Sequence, residues 1–450
     1  MEKMTLRFDI SKKCLLCSGL VLFVAVLGFR LQPVSGADPE SELLADASKK
    51  AFDFFWLEAN AQNGLIKDRA NNFESDSYDV SSIASVGFGL TALCIGYEHE
   101  WADKSAIKER ANTTLNTFAN DMDHVNGWFY HFVDLETGER VWESEVSSID
   151  TALLLAGALT AAQCFDDPEI GQLANDIYER VDFEWMLTDG GSKPNELLLG
   201  HGWKPESGFL PVRWDVYSEH MILYILAIGS PTHPIPPESW VAWERQRGVY
   251  AGYETFAQGP LFTHQYSHAW IDFSKIQDQS GYDYFQSSVN ATLANRQFAI
   301  DNQEQCETYG ENVWGISAGD GPDGYQAYGA PPGTINHDCT VIPSAAAASI
   351  VFTPVESKAA IQEIYTLYQS EIWGKYGFSN AFNVDRGWYD PDVIGIDQGN
   401  MLLMLENYQN GGYVWNTFMS HTAVKTGLAR AGFQYDNLTF LPLALTSQTQ

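Results

Sequence analysis

Apolar residues recur at helical spacing over residues 43–56, 81–97, 106–118, 149–164, 170–181, 217–228, 284–298, 342–352, 359–368, 398–408 and 415–431. That pattern predicts eleven helices, with a twelfth over 237–247. Strand-like alternation is scarce. Segments 152–162 and 345–351 are apolar almost all round, as expected of inner helices screened by an outer amphipathic layer. Between helices lie loops rich in Gly, Pro, Asp and aromatics, at 127–131, 310–333 and 374–394. Helices in two layers with long loops at one end predict an all-α fold, an (α/α)6 toroid. A helical solenoid competes, but no fixed-period self-similarity runs through the chain. No linker or composition break divides residues 40–440, so one domain over 38–450 is expected, with its core from about residue 45 to 435.

The N-terminus departs from this pattern. Lys3, Arg7, Lys12 and Lys13 precede an apolar run over 15–29, and Ser35, Gly36 and Ala37 follow, which reads as a secretory signal over 1–37. The expectation is an exported protein, periplasmic or extracellular, with no membrane association after signal removal. Cys14 and Cys17 would leave with the signal. Cys94, Cys164, Cys306 and Cys339 remain; they have no metal-ligand spacing, and Cys306 with Cys339 is the expected bridge.

Charge narrows the partners. Lys and Arg total 26 against 58 Asp and Glu, a formal net charge of -32, which disfavours nucleic acid, anionic lipid and acidic glycans. A neutral partner is expected, and a monomer. The 14 Trp, 21 Tyr and 25 Phe exceed what the core needs, and flat rings beside many carboxylates suit sugar binding.

Glycosidic bond cleavage needs a protonated carboxyl to supply the leaving oxygen and a second carboxylate to attack or to activate water. Asp150 opens an apolar helix after Ser147-Ser148-Ile149, where capping and catalysis both account for it. Glu145, just before, is harder to explain by capping. Glu219 stands in the first turn of the apolar segment 217–228, where burial would raise its pKa toward that of a proton donor; an ion pair with Arg213 or His220 is the plainer reading. Asp397 heads the apolar segment 398–408, and Glu406 lies further along it. The loop 317–329 carries Asp323, Tyr325 and Tyr328 as candidate sugar contacts. Trp128, Tyr130, His131, Tyr217, His264, Gln265 and Trp388 are further candidates, each also explicable as core. Gly-x-Ser-x-Gly, a Walker loop and His-Glu-x-x-His are absent, and the 10 His are scattered, so neither a cofactor nor a metal centre is expected.

Taken in order, 145–154, Arg213-Trp214-Asp215-Val216-Tyr217-Ser218-Glu219, Gly229-Ser230-Pro231-Thr232-His233-Pro234, His264-Gln265-Tyr266-Ser267, Asp320-Gly321-Pro322 and Gly395-Ile396-Asp397-Gln398-Gly399 resemble the glycoamylase-like domain of bacterial endo-β-1,2-glucanases. The likeness runs from about residue 51 to 432. It implies an (α/α)6 barrel that hydrolyses β-1,2-glucan to sophoro-oligosaccharides with inversion and without a metal. Carried onto this chain, Glu219 resembles the proton donor, with Asp150 and Asp397 as partners for water or the reacting sugar. Relatives of this kind include sophorose-releasing exo-enzymes, so exo action is one alternative; a non-catalytic glycan-binding protein of an uptake system is another. The segment Asn336-His337-Asp338-Cys339-Thr340 departs from the family's Asp-Gly-Thr-like turn.

Overall fold

The computed structural model describes residues 39–435, which lie within one unit. The expected signal over 1–37, Cys14 and Cys17 fall outside the described residues. In chain order the helices are α1 (Pro39–Leu57), α2 (Ile83–Glu98), α3 (Lys104–Asn116), α4 (Ser148–Cys164), α5 (Pro168–Glu179), α6 (Phe183–Leu187), α7 (Met221–Gly229) and α8 (Ser239–Ala242). They continue as α9 (Tyr266–Trp270), α10 (Tyr284–Asp301), α11 (Pro343–Ala348), α12 (Pro354–Ile372), α13 (Gly395–Gln409), α14 (Tyr413–Phe418) and α15 (Thr422–Arg430).

Burial sorts these helices into two sets. Every residue of α7, α9 and α11 is buried, as is nearly every residue of α2, α4 and α13. The others show a polar face: α5 buries Ile170, Ala174, Ile177 and Tyr178 and leaves the opposite side wet. Inner helices pack on one another, α2 on α4, α4 on α7, α7 on α9, α11 on α13 and α13 on α2, while α1, α3, α5, α12 and α15 lie outside them. The α2–α4 approach is closest. A Cβ on Gly157 would lie 2.0 Å from the Gly87 carbonyl oxygen, so only glycine lets these backbones meet.

Short strands set where inner helices begin. Val80–Ser82 pairs with Phe132–Asp134 and runs into α2; Val146–Ser147 pairs with Gly202–Lys204 and runs into α4; Asp392–Ile394 pairs with Arg69–Asn71 and runs into α13. Each pairing anchors a helix N-terminus, and these ends carry the polar residues of the site. Strands of two to four residues are too short to show a period, which is why the sequence revealed none. Most predicted helices are present. The twelfth shrinks to the four residues of α8, and the 415–431 segment breaks into α14 and α15. Disulfides join Cys306 to Cys339, as expected, and Cys94 to Cys164, tying α2 to α4.

Candidate active site

A cavity of about 600 Å³ opens over the N-terminal ends of the inner helices, lined by Asp150, Glu219, His131, Asp68, Arg69 and Tyr325 among others. Ile149, Leu153, Phe262, Ile394 and Ile396 give it apolar walls. Helix N-termini favour negative charge, so carboxylates gathered here sit in a favourable field.

Glu219 lies in a turn just ahead of α7, not in its first turn as the periodicity predicts. The Tyr217 amide donates to the Glu244 carbonyl at 2.8 Å, and Val216 bridges to Glu244, which holds the chain off the helical path. The Glu219 carbonyl accepts the Ser267 hydroxyl at 2.5 Å, and its carboxylate accepts the Ser218 hydroxyl. Burial first, and then the charge of Asp150, raise its pKa above the ordinary value.

Asp150 sits in the first turn of α4. The Ser147 hydroxyl donates to its Oδ2 at 2.5 Å and accepts its amide at 3.3 Å, so capping and cavity-facing roles coexist in one side chain. His131 stands between two carboxylates, with Nε2 3.5 Å from Asp150 Oδ2 and Nδ1 3.2 Å from Glu145 Oε1. Burial alone would lower the imidazole pKa, but Asp150 and Glu145 outweigh it and raise it. The hydrogen bond to His131 in turn holds Glu145 down at about 2.

A second acidic group lies beside the cavity: Asp68 lines it, and Asp397, in the first turn of α13, is not itself on the lining. Asp397 is buried beside the lining residue Ile396, and Asn380 Nδ2 donates to its Oδ2 at 2.6 Å. Burial, with Asp320 and Asp68 nearby, pushes it up to about 7. Arg69 pairs with Asp320 at 2.8 Å and with Asp68 at 3.5 Å. Burial still leaves Asp68 raised, against the pull of Arg69. The Tyr266 phenol lies between the groups: burial, and then the charges of Asp397, Glu219 and Asp150, raise its pKa well above normal.

Asp68, Arg69, Tyr78 and Trp142 were not among the sequence candidates. An acid next to a base just after an apolar turn, Lys67-Asp68-Arg69, was the available signal. Other candidates lie elsewhere. Trp128 is fully buried, and its indole donates to the Asp182 carbonyl. Tyr217 stacks on Phe256 in the core. Arg213 is held by the Leu187 and Leu198 carbonyls and Asp189, away from the cavity. His264 is buried and pushed down to about 3, so it is a neutral core ring. Gln265 links helices, donating to Ala345 O and accepting from Asn400. Glu406 is buried with His99 and Asn410 at the other end of α13. Tyr328 is buried, its hydroxyl on Asp338, and Asp323 pairs with Arg386 on an exposed loop. Tyr130 packs under Arg140, and Trp388 sits in a hairpin with Phe382–Asn383; neither lines the cavity.

Among the described residues one cluster has metal-like proximity, Cys306, His337 and Cys339, but its two sulfurs are joined to each other.

Comparison with known proteins gives a consistent picture. The Glycoamylase family model matches residues 211–422. Over 432 residues the chain is 27% identical to an exo beta-1,2-glucooligosaccharide sophorohydrolase (non-reducing end) of Parabacteroides distasonis, covering 87% of this chain and 58% of that protein. The chain thus spans 58% of the length of that curated relative. Among solved structures, an endo-beta-1,2-glucanase from Chitinophaga pinensis matches with TM-score 0.79 and 27% identity, over 89% of this chain and all of that one. A beta-1,2-glucanase from Parabacteroides distasonis matches with TM-score 0.79 and 26% identity, over 88% of this chain and 60% of that one. Residues 211–422 are therefore similar to the Glycoamylase family, and the three proteins just described are named as enzymes of β-1,2-glucans or their oligosaccharides.

Proposed function

We propose that this protein is an exported glycoside hydrolase that cleaves β-1,2-glucan to sophoro-oligosaccharides with inversion, in an (α/α)6 toroid. The observation that carries the proposal is Glu219: a buried carboxyl with raised pKa on the lining of an apolar-walled cavity, with Asp150 and Asp68 on the same lining. Glu219 gives its proton to the glycosidic oxygen as the C–O bond breaks. Water attacks the anomeric carbon from the other face and passes its proton to Asp397, whose helix is separated from α7 by α2 and α4 on one side and α9 on the other. Burial, and then the charge on Asp150, favour the protonated form of Glu219 that this step needs. The toroid reading is supported by six buried helices that each pack on inner neighbours beneath outer ones. Export is supported by the signal-like N-terminus and by two disulfides, which persist in oxidising compartments.

The relative named as a sophorose-releasing exo-enzyme supports a second reading, action from the chain end. Incubation with linear β-1,2-glucan, beside β-1,3- and β-1,4-linked controls, tests both. Cleavage of the β-1,2 chain alone is expected, and a ladder of products means endo action whereas sophorose alone means exo. Equal cleavage of the controls, or none of the β-1,2 chain, overturns the proposal.

A further inference from the structure

The turn between Val141 and Ser144 is built against local preference. The Ser144 amide donates to the Val141 carbonyl at 3.0 Å, and between them Trp142 and Glu143 have φ of 54° and 49°. Two consecutive left-handed residues closed by such a bond make the pattern of a type I′ turn, whose central positions favour Asn and Gly. A β-carbon bearing an indole is among the poorest occupants of that conformation. Surrounding contacts impose it: Arg140 Nε donates to Ser144 O at 2.5 Å, Val141 N to Phe132 O at 3.1 Å, and Arg140 is clamped by both oxygens of Glu206.

This strained turn places Trp142 on the cavity lining with 62% of its surface exposed. The indole belongs neither to the core nor to the partly buried apolar residues packed on it. Its ring partner is Phe132, at 5.1 Å, and Phe132 stacks on His131 at 3.8 Å and 17°. Three rings in sequence therefore lead outward from the Asp150 carboxylate along one wall. A large apolar ring offered to water at a carbohydrate-sized cavity, on a backbone that disfavours it, calls for a ligand with a flat apolar face.

We infer that Trp142 is a stacking platform for a glucosyl unit beyond the sugars flanking the scissile bond, so that it sets preference for longer chains. The inference rests on the carbohydrate reading of the cavity, and deepens it by assigning a binding residue.

The test uses Glu219→Gln as background, so that chains bind without being cut. Titration with linear β-1,2-glucans of increasing length is expected to quench tryptophan fluorescence, and Trp142→Ala to weaken binding of long chains about tenfold while leaving the shortest bound chain unaffected. Trp142→Phe should restore most of the long-chain affinity. The paired change Trp142→Asn with Glu143→Gly supplies the turn's favoured residues; it is expected to raise Tm yet weaken long-chain binding. Unchanged affinity for every length in Trp142→Ala, or equal weakening at every length, overturns the platform. If the background protein binds a β-1,3- or β-1,4-linked chain instead, the substrate reading falls, and the same variants test the platform with that chain.

Discussion

The two acidic groups beside the cavity are both built of carboxyls, and their pKa values shift in opposite directions. On the α4 side, Glu145 is held at about 2 because His131 donates to it, and Asp150 shares that imidazole and the Ser147 hydroxyl. On the α13 side, burial lifts Asp397 to about 7, and Asp390 to about 8 with Asp320 adding to it. Arg69 is placed to neutralise this second group, yet its contacts go to Asp320 and Asp68, and Asp397 is left with an amide donor from Asn380. A carboxylate beside a cation is held down, as Glu145 is, unless burial outweighs the cation, as at Asp68, and a buried one that lacks such a partner becomes a proton carrier.

The comparison breaks most sharply at Asp397. Asp397→Asn keeps the Asn380 contact but cannot take a proton from water, and is expected to lower kcat by about 10²- to 10⁴-fold. In the parent enzyme kcat/KM should rise with pH toward neutrality as Asp397 ionises. Stability follows the same group. Because its folded pKa is raised, the folded state holds a proton the unfolded chain has lost between about pH 4 and 7, so its contribution declines as pH rises through that window. Asp397→Asn should therefore raise Tm at pH 8 and change it little at pH 4; a Tm drop at both would end that account.

Arg69→Met tests the cation on the same side. It leaves the buried Asp68 and Asp320 without their shared cation, and denaturant unfolding at pH 8 should show a loss of about 3 kcal/mol. An equal loss in Arg69→Lys, which keeps the cation, would assign Arg69 a packing role instead.

A smaller effect belongs to His131. With His131→Ala, Glu145 should titrate near the ordinary carboxyl range instead of about 2 when followed by NMR, and kcat/KM should fall about tenfold. The linked stability runs opposite to that of Asp397: Glu145 is depressed, so its contribution is present above about pH 4.5 and is lost as pH falls toward 2.

The inner helices were legible because α2, α4 and α13 bury all their faces, and no surface face can be written in that pattern. Carboxyls at their heads were legible for the same reason, since an acid in an apolar segment stands out. The start of α7 was misread because a long-range bond from Tyr217 to Glu244 overrides a local apolar pattern. Asp68 and Arg69 escaped notice because they lie just before and at the start of a three-residue strand paired with Asp392–Ile394, more than 300 positions away. Aromatics were overcounted as sugar contacts, since residue type does not separate Trp128, wholly buried, from Trp142, largely exposed.

In the proposed reaction Glu219 gives a proton to the departing sugar oxygen. Such a residue is needed in proportion to the basicity of the leaving group. The direct measurement compares Glu219→Gln with the parent on β-1,2-glucan and on a β-sophoroside of dinitrophenol, whose phenolate leaves without protonation. The expected result is a loss of at least about 10³-fold on the glucan and a far smaller loss on the activated sophoroside, with circular dichroism unchanged. Equal loss on both substrates, or full activity on the glucan, would contradict it.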